Sequence, residues 1–179
     1  MPSNDRAQSL TEWVVLALLA EGPNHGFALA RLLGANGEVG TVLTVRRPLV
    51  YRALDRLVVA GLAAERHREP GTAGPDRTVY RVTPLGRRRL ARWLHQPVEH
   101  IRDLRVEFLA KLVLLKRSGQ SPAALISAQR RALAPTLAAL NQPAALNQPG
   151  ALPTEVELWR RHNARAAASF LDALARRAT

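Results

Sequence analysis

The sequence predicts a mainly α-helical protein in which one β-hairpin interrupts a series of helices. Three observations support this prediction. Apolar residues recur at the three- to four-residue spacing of an amphipathic helix through most of the 179 residues. The spacing changes to simple alternation between residues 62 and 83, on both sides of a turn rich in Gly and Pro. Residue types that begin or end helices separate the helical segments.

Two helices are expected first, over residues 9–20 and 25–34. Ser9 and Glu12 have the spacing of a capping box, and a Gly-Pro pair follows the first helix. Asn24 is predicted to cap the second helix, on which Phe27 is expected to lie on the buried side with the leucines. A glycine-rich loop follows, and residues 41–45 predict either a brief strand or an extended turn.

The third helix is predicted from Arg47 or Pro48 to Ala60, because Pro suits the first helical turn and Gly61 can end a helix. One apolar stripe is expected to face the core, and the remaining face carries Arg47, Tyr51, Arg52, Asp55 and Arg56.

The hairpin strands are predicted over residues 62–68 and 78–83, with a long tip over residues 69–76. Thr83 and Pro84 then open a fourth helix that ends near His95. This order of helix, helix, turn, helix, hairpin and helix predicts a winged helix-turn-helix, in which the third helix would enter the major groove of DNA.

Three further helical segments are expected, beginning at residue 98 or 103 and ending near 116, then over 122–140 and 154–177. Leu158, Trp159 and Phe170 are expected to be buried in the last one. Residues 138–149 repeat Ala-Ala-Leu-Asn-Gln-Pro twice, and we interpret 138–153 as a Pro-rich loop, with a binding motif as the alternative. The predicted division is a DNA-binding domain over 1–96 and a helical dimerisation and effector domain over 97–179.

The charge distribution supports a polyanion partner. The chain has 26 basic and 14 acidic residues, a net charge of +12, and residues 46–92 alone hold 12 arginines against four acids. The third helix is the expected recognition helix and the hairpin is the expected wing. Together they predict seven DNA-contacting residues: Arg46, Arg47, Tyr51, Arg52, Arg56, Arg68 and Arg77. For Tyr51, packing between the helix and the wing is the alternative.

Three stretches resemble the PadR family of bacterial transcriptional regulators. They are residues 16–27 (LALLAEGPNHGF), 50–62 (VYRALDRLVVAGL) and 77–86 (RTVYRVTPLG). The resemblance covers about residues 9–96, and the segment around Glu107–Leu112 looks like the longer members, which have a helical C-terminal region. It implies a homodimer, a palindromic operator and a repressor or activator under effector control. Arg46-Arg47-Pro48 and Phe27 depart from the family pattern.

Other functions find less support in the sequence. Aromatic content of 4% argues against an RNA-binding module, whereas a winged protein-interaction module without DNA binding stays open. The absence of cysteine excludes disulfides and thiolate zinc sites, and we expect no enzyme activity, cofactor or metal site. The longest apolar run has eight residues, so we expect a soluble, cytoplasmic protein without a membrane span.

Two residue sets have alternative interpretations. The row Glu99, Asp103 and Glu107 is interpreted as a salt-bridged surface rather than a cation site or an acid–base pair. The aromatic residues are interpreted mainly as core, with an effector pocket near a dimer interface as the alternative; they are Trp13, Trp93, Phe108, Trp159 and Phe170.

Overall fold

The structure, a computed structural model, describes residues 8–70, 76–141 and 154–177. Within these ranges it contains seven α-helices, one 3-10 helix over Ile101–Arg105 and three β-strands. The other elements are α1 (Leu10–Glu21), β1 (Asn24–His25), α2 (Gly26–Leu32), α3 (Arg47–Val59), β2 (Ala63–Glu69), β3 (Arg77–Val82), α4 (Pro84–His95), α5 (Glu107–Arg117), α6 (Ala123–Asn141) and α7 (Thr154–Arg177). No described helix has the length and apolar character needed to cross a bilayer.

The predicted start of α1 is confirmed. The Ser9 hydroxyl accepts a hydrogen bond from the Glu12 amide, and the Glu12 carboxylate accepts one from the Ser9 amide. The predicted cap of α2 is wrong by one residue. Asn24 accepts a hydrogen bond from the neighbouring His25 amide, while His25 Nδ1 accepts one from the Ala28 amide at 3.1 Å and caps the helix.

The sheet has three antiparallel strands in the order β1-β3-β2, so the hairpin is confirmed and one strand is added to it. In the added strand Asn24 pairs with Tyr80 and His25 pairs with Val79. Two residues carry too little alternation to reveal a strand in the sequence. Residues 41–45 form a turn and extended chain instead of the brief strand that was one alternative.

The end of α3 and the start of α4 are held close together. Gly61 ends α3 with a φ of 68°, in the left-handed region that glycine adopts readily. The Thr83 hydroxyl donates to the Gly61 carbonyl at 2.7 Å and accepts from the Gly86 amide at 3.0 Å. These contacts fix where the wing leaves α3, and with α2 and α3 they give a winged helix-turn-helix.

The C-terminal region differs from prediction in three ways. The expected segment from 98 or 103 to 116 is split at Val106 into the 3-10 helix and α5, so Glu99, Asp103 and Glu107 do not share one helix. Residues 138–141 belong to α6, and the rest of the predicted loop lies outside the described residues. On α7, Leu158 and Trp159 are 56% and 70% exposed instead of buried.

One continuous core joins the winged part to the C-terminal helices. Leu104, Phe108, Leu112 and Leu115 are buried in the same cluster as the leucines of α1 and α3. The apolar stripe of α5 is therefore covered within the chain. It needs no partner molecule to be buried.

Candidate nucleic-acid interface

Helix α3 has one buried and one exposed face. Val50, Ala53, Leu54 and Leu57 are at most 4% exposed and anchor the helix on the core. The polar residues of the exposed face are Arg47, Tyr51, Arg52, Asp55 and Arg56, and Pro48, Leu49 and Val59 are exposed as well. No side chain caps the N-terminus of α3, where Arg46 occupies the cap position and Pro48 lies in the first turn. Pro48 has no N–H to donate, and the Leu49 amide donates to the Arg46 carbonyl at 2.9 Å.

Arg56 has an unexpected acidic partner. Its guanidinium donates to the Glu12 carboxylate of α1 at 3.2 Å, and the Glu12 side chain is only 8% exposed. Arg56 is therefore not a free cation. Arg52 is exposed and forms no ion pair with any described residue. Sequence spacing could not reveal the contact, because 44 residues separate its partners.

Tyr51 packs against the start of α2 while part of its ring stays exposed. A Cβ atom added at Gly26 would lie 2.7 Å from Tyr51 Cε1, so only glycine leaves room for the ring. The ring is 38% exposed, and the Arg47 guanidinium lies 5.7 Å from its centroid. Tyr51 thus packs between elements, as the alternative interpretation predicted. Because the residue is also partly exposed, its contact with DNA stays a prediction.

Phe27 occupies an exposed position that was not expected. The sequence predicted a buried side chain, but Phe27 is 39% exposed and lies beside the arginines of two other elements. The guanidinium carbons of Arg47 and Arg77 are 5.1 and 5.6 Å from its ring centroid. The sequence signal that could have identified it is the departure from the family pattern at this position.

The wing adds exposed cations beside α3. Arg66, Arg68, Arg77 and Arg81 are all exposed on β2 and β3. His67 is hydrogen-bonded to Glu69 at 2.9 Å, and a bulge between Glu65 and His67 interrupts the register of the strands. Residues 71–75 of the predicted tip lie outside the described residues.

The charges of this surface are largely uncompensated. Among residues 8–70, 76–141 and 154–177, no carboxylate forms an ion pair with Arg46, Arg47, Arg52, Arg68 or Arg77. Tyr80, on β3, is partly buried, and its burial together with Glu65 and Asp55 raises the pKa of its phenol above 10.0. The phenol is therefore neutral near pH 7. Six of the seven predicted contact residues are arginines, and together with Tyr51 they are all exposed on α3, its N-terminal cap or the hairpin.

Three of the remaining candidate residues, Trp13, Trp93 and Glu107, form a separate cluster between α1, α4 and α5. Trp13 and Trp93 stack with their centroids 5.3 Å apart, and Lys111, 1% exposed, lies 4.8 Å from the Trp93 centroid. Lys111 donates to the Glu107 carboxylate and to the Gln96 carbonyl, and its burial lowers the pKa of its ammonium group. Glu107, whose side chain is 34% exposed, thus forms a salt bridge as predicted, but with a buried lysine. Asp103 also pairs as predicted, with Arg102 at 3.7 Å. No group of three metal-ligating side chains occurs in the described part of the chain.

Solved structures and a family model show similarity to this chain. No curated protein matches the chain significantly. Two solved structures of Bacillus subtilis PadR are similar to it, each at 21% identity. The one in complex with operator DNA has a TM-score of 0.44 and covers 92% of this chain and 97% of that chain. The one in complex with p-coumaric acid has a TM-score of 0.42 and covers 95% and 99%.

A model of the transcriptional regulator PadR-like family matches residues 15–92. This range runs from α1 to α4 and includes the whole exposed face of α3 and both strands of the hairpin. Residues 15–92 of this chain, which contain the winged helix-turn-helix, therefore match the transcriptional regulator PadR-like family.

Proposed function

We propose that this chain is a sequence-specific regulator of transcription that binds double-stranded DNA as a homodimer, most simply as a repressor in the cytoplasm. The observation that carries the proposal is the uncompensated cationic surface formed by the exposed face of α3 and the adjacent wing. Arg52 would reach base edges, where a guanidinium can bind bidentately, and Arg68 would contact backbone phosphates. Two copies would place their reading helices in major grooves about 34–36 Å apart.

The sharpest test compares arginines inside and outside this surface. A duplex is first selected from a random library with the purified wild-type protein, and binding is then measured by fluorescence anisotropy. Arg52→Ala is expected to weaken specific binding about 10- to 100-fold, since a good bidentate base contact contributes about 1–3 kcal/mol. Arg105→Ala removes the same charge from the exposed 3-10 helix and serves as the control. Equal effects of the two variants would reject the assignment of α3 as the reading helix.

The alternative function, a winged protein-interaction module, makes a different prediction. Such a protein would retain no duplex, so no salt-dependent DNA binding would be measured. For the proposed function, log K should fall steeply and linearly with log salt concentration, because phosphate contacts release counterions.

Dimerisation is proposed through α7. Val156 and Trp159 are 39% and 70% exposed and lie one helical turn apart, and the 36% exposed Phe170 lies about three turns further along the same face. An exposed Trp on an apolar face is costly in water and is typical of a subunit contact. Trp159→Glu is expected to convert a dimer to a monomer in sedimentation velocity. Retention of the dimer by that variant would exclude α7 as the contact.

The predicted effector domain, residues 97–179, leads us to propose control by a small molecule. A cleft of about 310 Å³, lined by Trp13, Trp93 and Lys111 among others, lies where α1 and α4 meet α5 and the 3-10 helix. A ligand held there would contact both parts of the chain and so change how the winged part is held. Binding of such a ligand should quench tryptophan fluorescence in Trp159→Phe, which keeps both cleft tryptophans, but much less in Trp13→Phe/Trp93→Phe, which keeps only Trp159. The reverse pattern would contradict this location.

A further inference from the structure

Three elements meet at the Phe27 ring. Phe27 lies at the start of α2, Arg47 in the first turn of α3, and Arg77 at the beginning of β3. The two guanidiniums approach the same ring, at 5.1 and 5.6 Å from its centroid. A cleft of about 310 Å³ opens beside them, lined also by Tyr51 and Tyr80.

The strand pairing determines why these residues meet. His25 of β1 pairs with Val79 of β3 in antiparallel register. In such a register, positions two residues beyond one partner lie near positions two residues before the other. Phe27 and Arg77 are these positions. The short strand that was not predicted from the sequence thus brings the wing arginine to the ring.

The second arginine is brought to the same ring by the packing of α3. Tyr51 fills the space that the missing side chain of Gly26 leaves, which holds α3 against the start of α2. Arg47 lies one turn before Tyr51 and contacts both aromatic rings. The position of Arg47 relative to Phe27 is therefore fixed by close packing.

The positive charge at this cleft favours the binding of an anion. Two guanidiniums of like charge repel each other, and no carboxylate within the described ranges forms an ion pair with either of them, although Asp76 also lines the cleft. The face of an aromatic ring attracts a guanidinium and orients it without neutralising its charge. A planar guanidinium that is oriented in this way is suited to bidentate contact with phosphate oxygens.

We propose that this cleft is a subsite for one DNA phosphodiester, at which Phe27 is a positioning residue that holds Arg47 of the reading helix and Arg77 of the wing on the same phosphate. The proposal rests on the proposed function, since it describes how that function anchors the backbone. In this proposal Phe27 joins the DNA-binding surface, and its ring couples α3 and the wing, which would otherwise contact the DNA backbone independently.

The test uses variants of Phe27 in the full-length protein, with the selected duplex measured by anisotropy over a series of salt concentrations. Phe27→Ala and Phe27→Leu are expected to bind about three- to tenfold more weakly, because both lack the ring face, whereas Phe27→Tyr keeps it and should bind within about twofold of wild type. Leu85→Ala is the control, since Leu85 is 38% exposed on α4 and contacts neither arginine. Thermal unfolding verifies that all four variants are folded.

Two further measurements separate positioning from mere structural support. The Arg47→Ala/Arg77→Ala double variant should lower the magnitude of the salt slope by about 0.9, the value for one phosphate, instead of about 1.8. Adding Phe27→Ala to that double variant should change affinity by less than about twofold, because the ring then has no arginine to position.

The outcomes are distinguishable. If wild type selects no duplex, the proposed function and the subsite both fail. If wild type binds but Phe27→Leu binds equally well, or Phe27→Ala weakens binding as much without the two arginines, the subsite alone is wrong. A slope reduced by about 1.8 in the double arginine variant would show two separate phosphates and would also overturn it.

Discussion

The contact between Arg56 and Glu12 predicts that one arginine of the reading helix stabilises the fold while its neighbour does not. Arg56→Ala removes a guanidinium 3.2 Å from a carboxylate whose side chain is 8% exposed. Arg52→Ala, one turn away on α3, removes an exposed guanidinium that pairs with no described carboxylate. The two substitutions delete the same chemical group, so they form a matched pair for stability measurements.

The expected magnitude follows from the exposure of the two partners. The Arg56 side chain is 54% exposed, so solvent screening limits the attraction itself to about 1 kcal/mol. Glu12, however, would keep only its capping hydrogen bond in a largely buried site, and an incompletely satisfied charged group adds to the cost. We expect Arg56→Ala to lower the free energy of unfolding by about 1–2 kcal/mol, or Tm by about 2–8 °C in a chain of this size. Arg52→Ala should change it by less than about 0.5 kcal/mol.

Thermal unfolding at one fixed protein concentration measures both effects, and a double-mutant cycle with Glu12→Gln isolates the contact. Arg56→Ala should cost less in the Glu12→Gln background, and its cost should fall at high salt. Equal stability losses for Arg52→Ala and Arg56→Ala, or an Arg56→Ala effect unchanged by Glu12→Gln, would show that the Arg56–Glu12 contact does not stabilise the fold. The prediction also explains why Arg52 is the better residue for testing DNA readout.

Three other predictions concern the packing of the C-terminal helices. Gln129→Ala should destabilise the protein by about 2–4 kcal/mol in denaturant unfolding, because the buried Gln129 amide satisfies both the N–H and the C=O of Val98 at 2.8 Å. Arg131→Ala, at an exposed position of the same helix, is the control, and a loss for Gln129→Ala no larger than for this control would contradict the prediction. Arg117→Gln should lower the free energy of unfolding by about 1–2 kcal/mol, because the partly buried guanidinium binds the Glu21 carboxylate at 2.7 and 2.8 Å. The corresponding decrease in Tm should become smaller at high salt, and a decrease independent of salt would argue against an ionic contribution. Burial lowers the pKa of Lys111 below its ordinary value of 10.5. Between the lowered pKa and 10.5 the unfolded chain binds more protons than the folded chain, so the stability of wild type relative to Lys111→Met should increase as pH rises towards 10.5. A stability difference that does not change with pH would contradict the lowered pKa.

The sequence predicted the elements of the interface better than their contacts. Helix α3, both hairpin strands and the start of α4 lie within one or two residues of their predicted bounds, because capping residues and periodicity are local signals. The exposure of the seven predicted residues followed from the same periodicity. Glu12 and Phe27 were missed as neighbours of those arginines, since their contacts depend on how α1, α2 and β3 pack and no local pattern encodes that packing.

The C-terminal half illustrates the same limit. Its helices were predicted from their apolar stripes, but an apolar stripe does not indicate which other element packs against it. The stripe containing Phe108 is buried inside the chain, whereas Trp159 on α7 is 70% exposed although the sequence predicted burial for both helices. Burial depends on which surfaces find partners within one chain, and that is a property of the assembled structure.

Caps, turns and periodicity act over a few residues, so they were sufficient to predict the mainly helical class and the winged arrangement, and the concentration of positive charge between residues 46 and 92 is visible in the sequence. Which of those charges are compensated depends on how the elements pack. The tertiary structure placed Glu12 against Arg56 across 44 residues, and it used a two-residue strand to bring Arg77 to the ring of Phe27 beside Arg47. Electrostatic compensation depends on distances of a few ångströms between segments far apart in the chain, and only folding sets those distances.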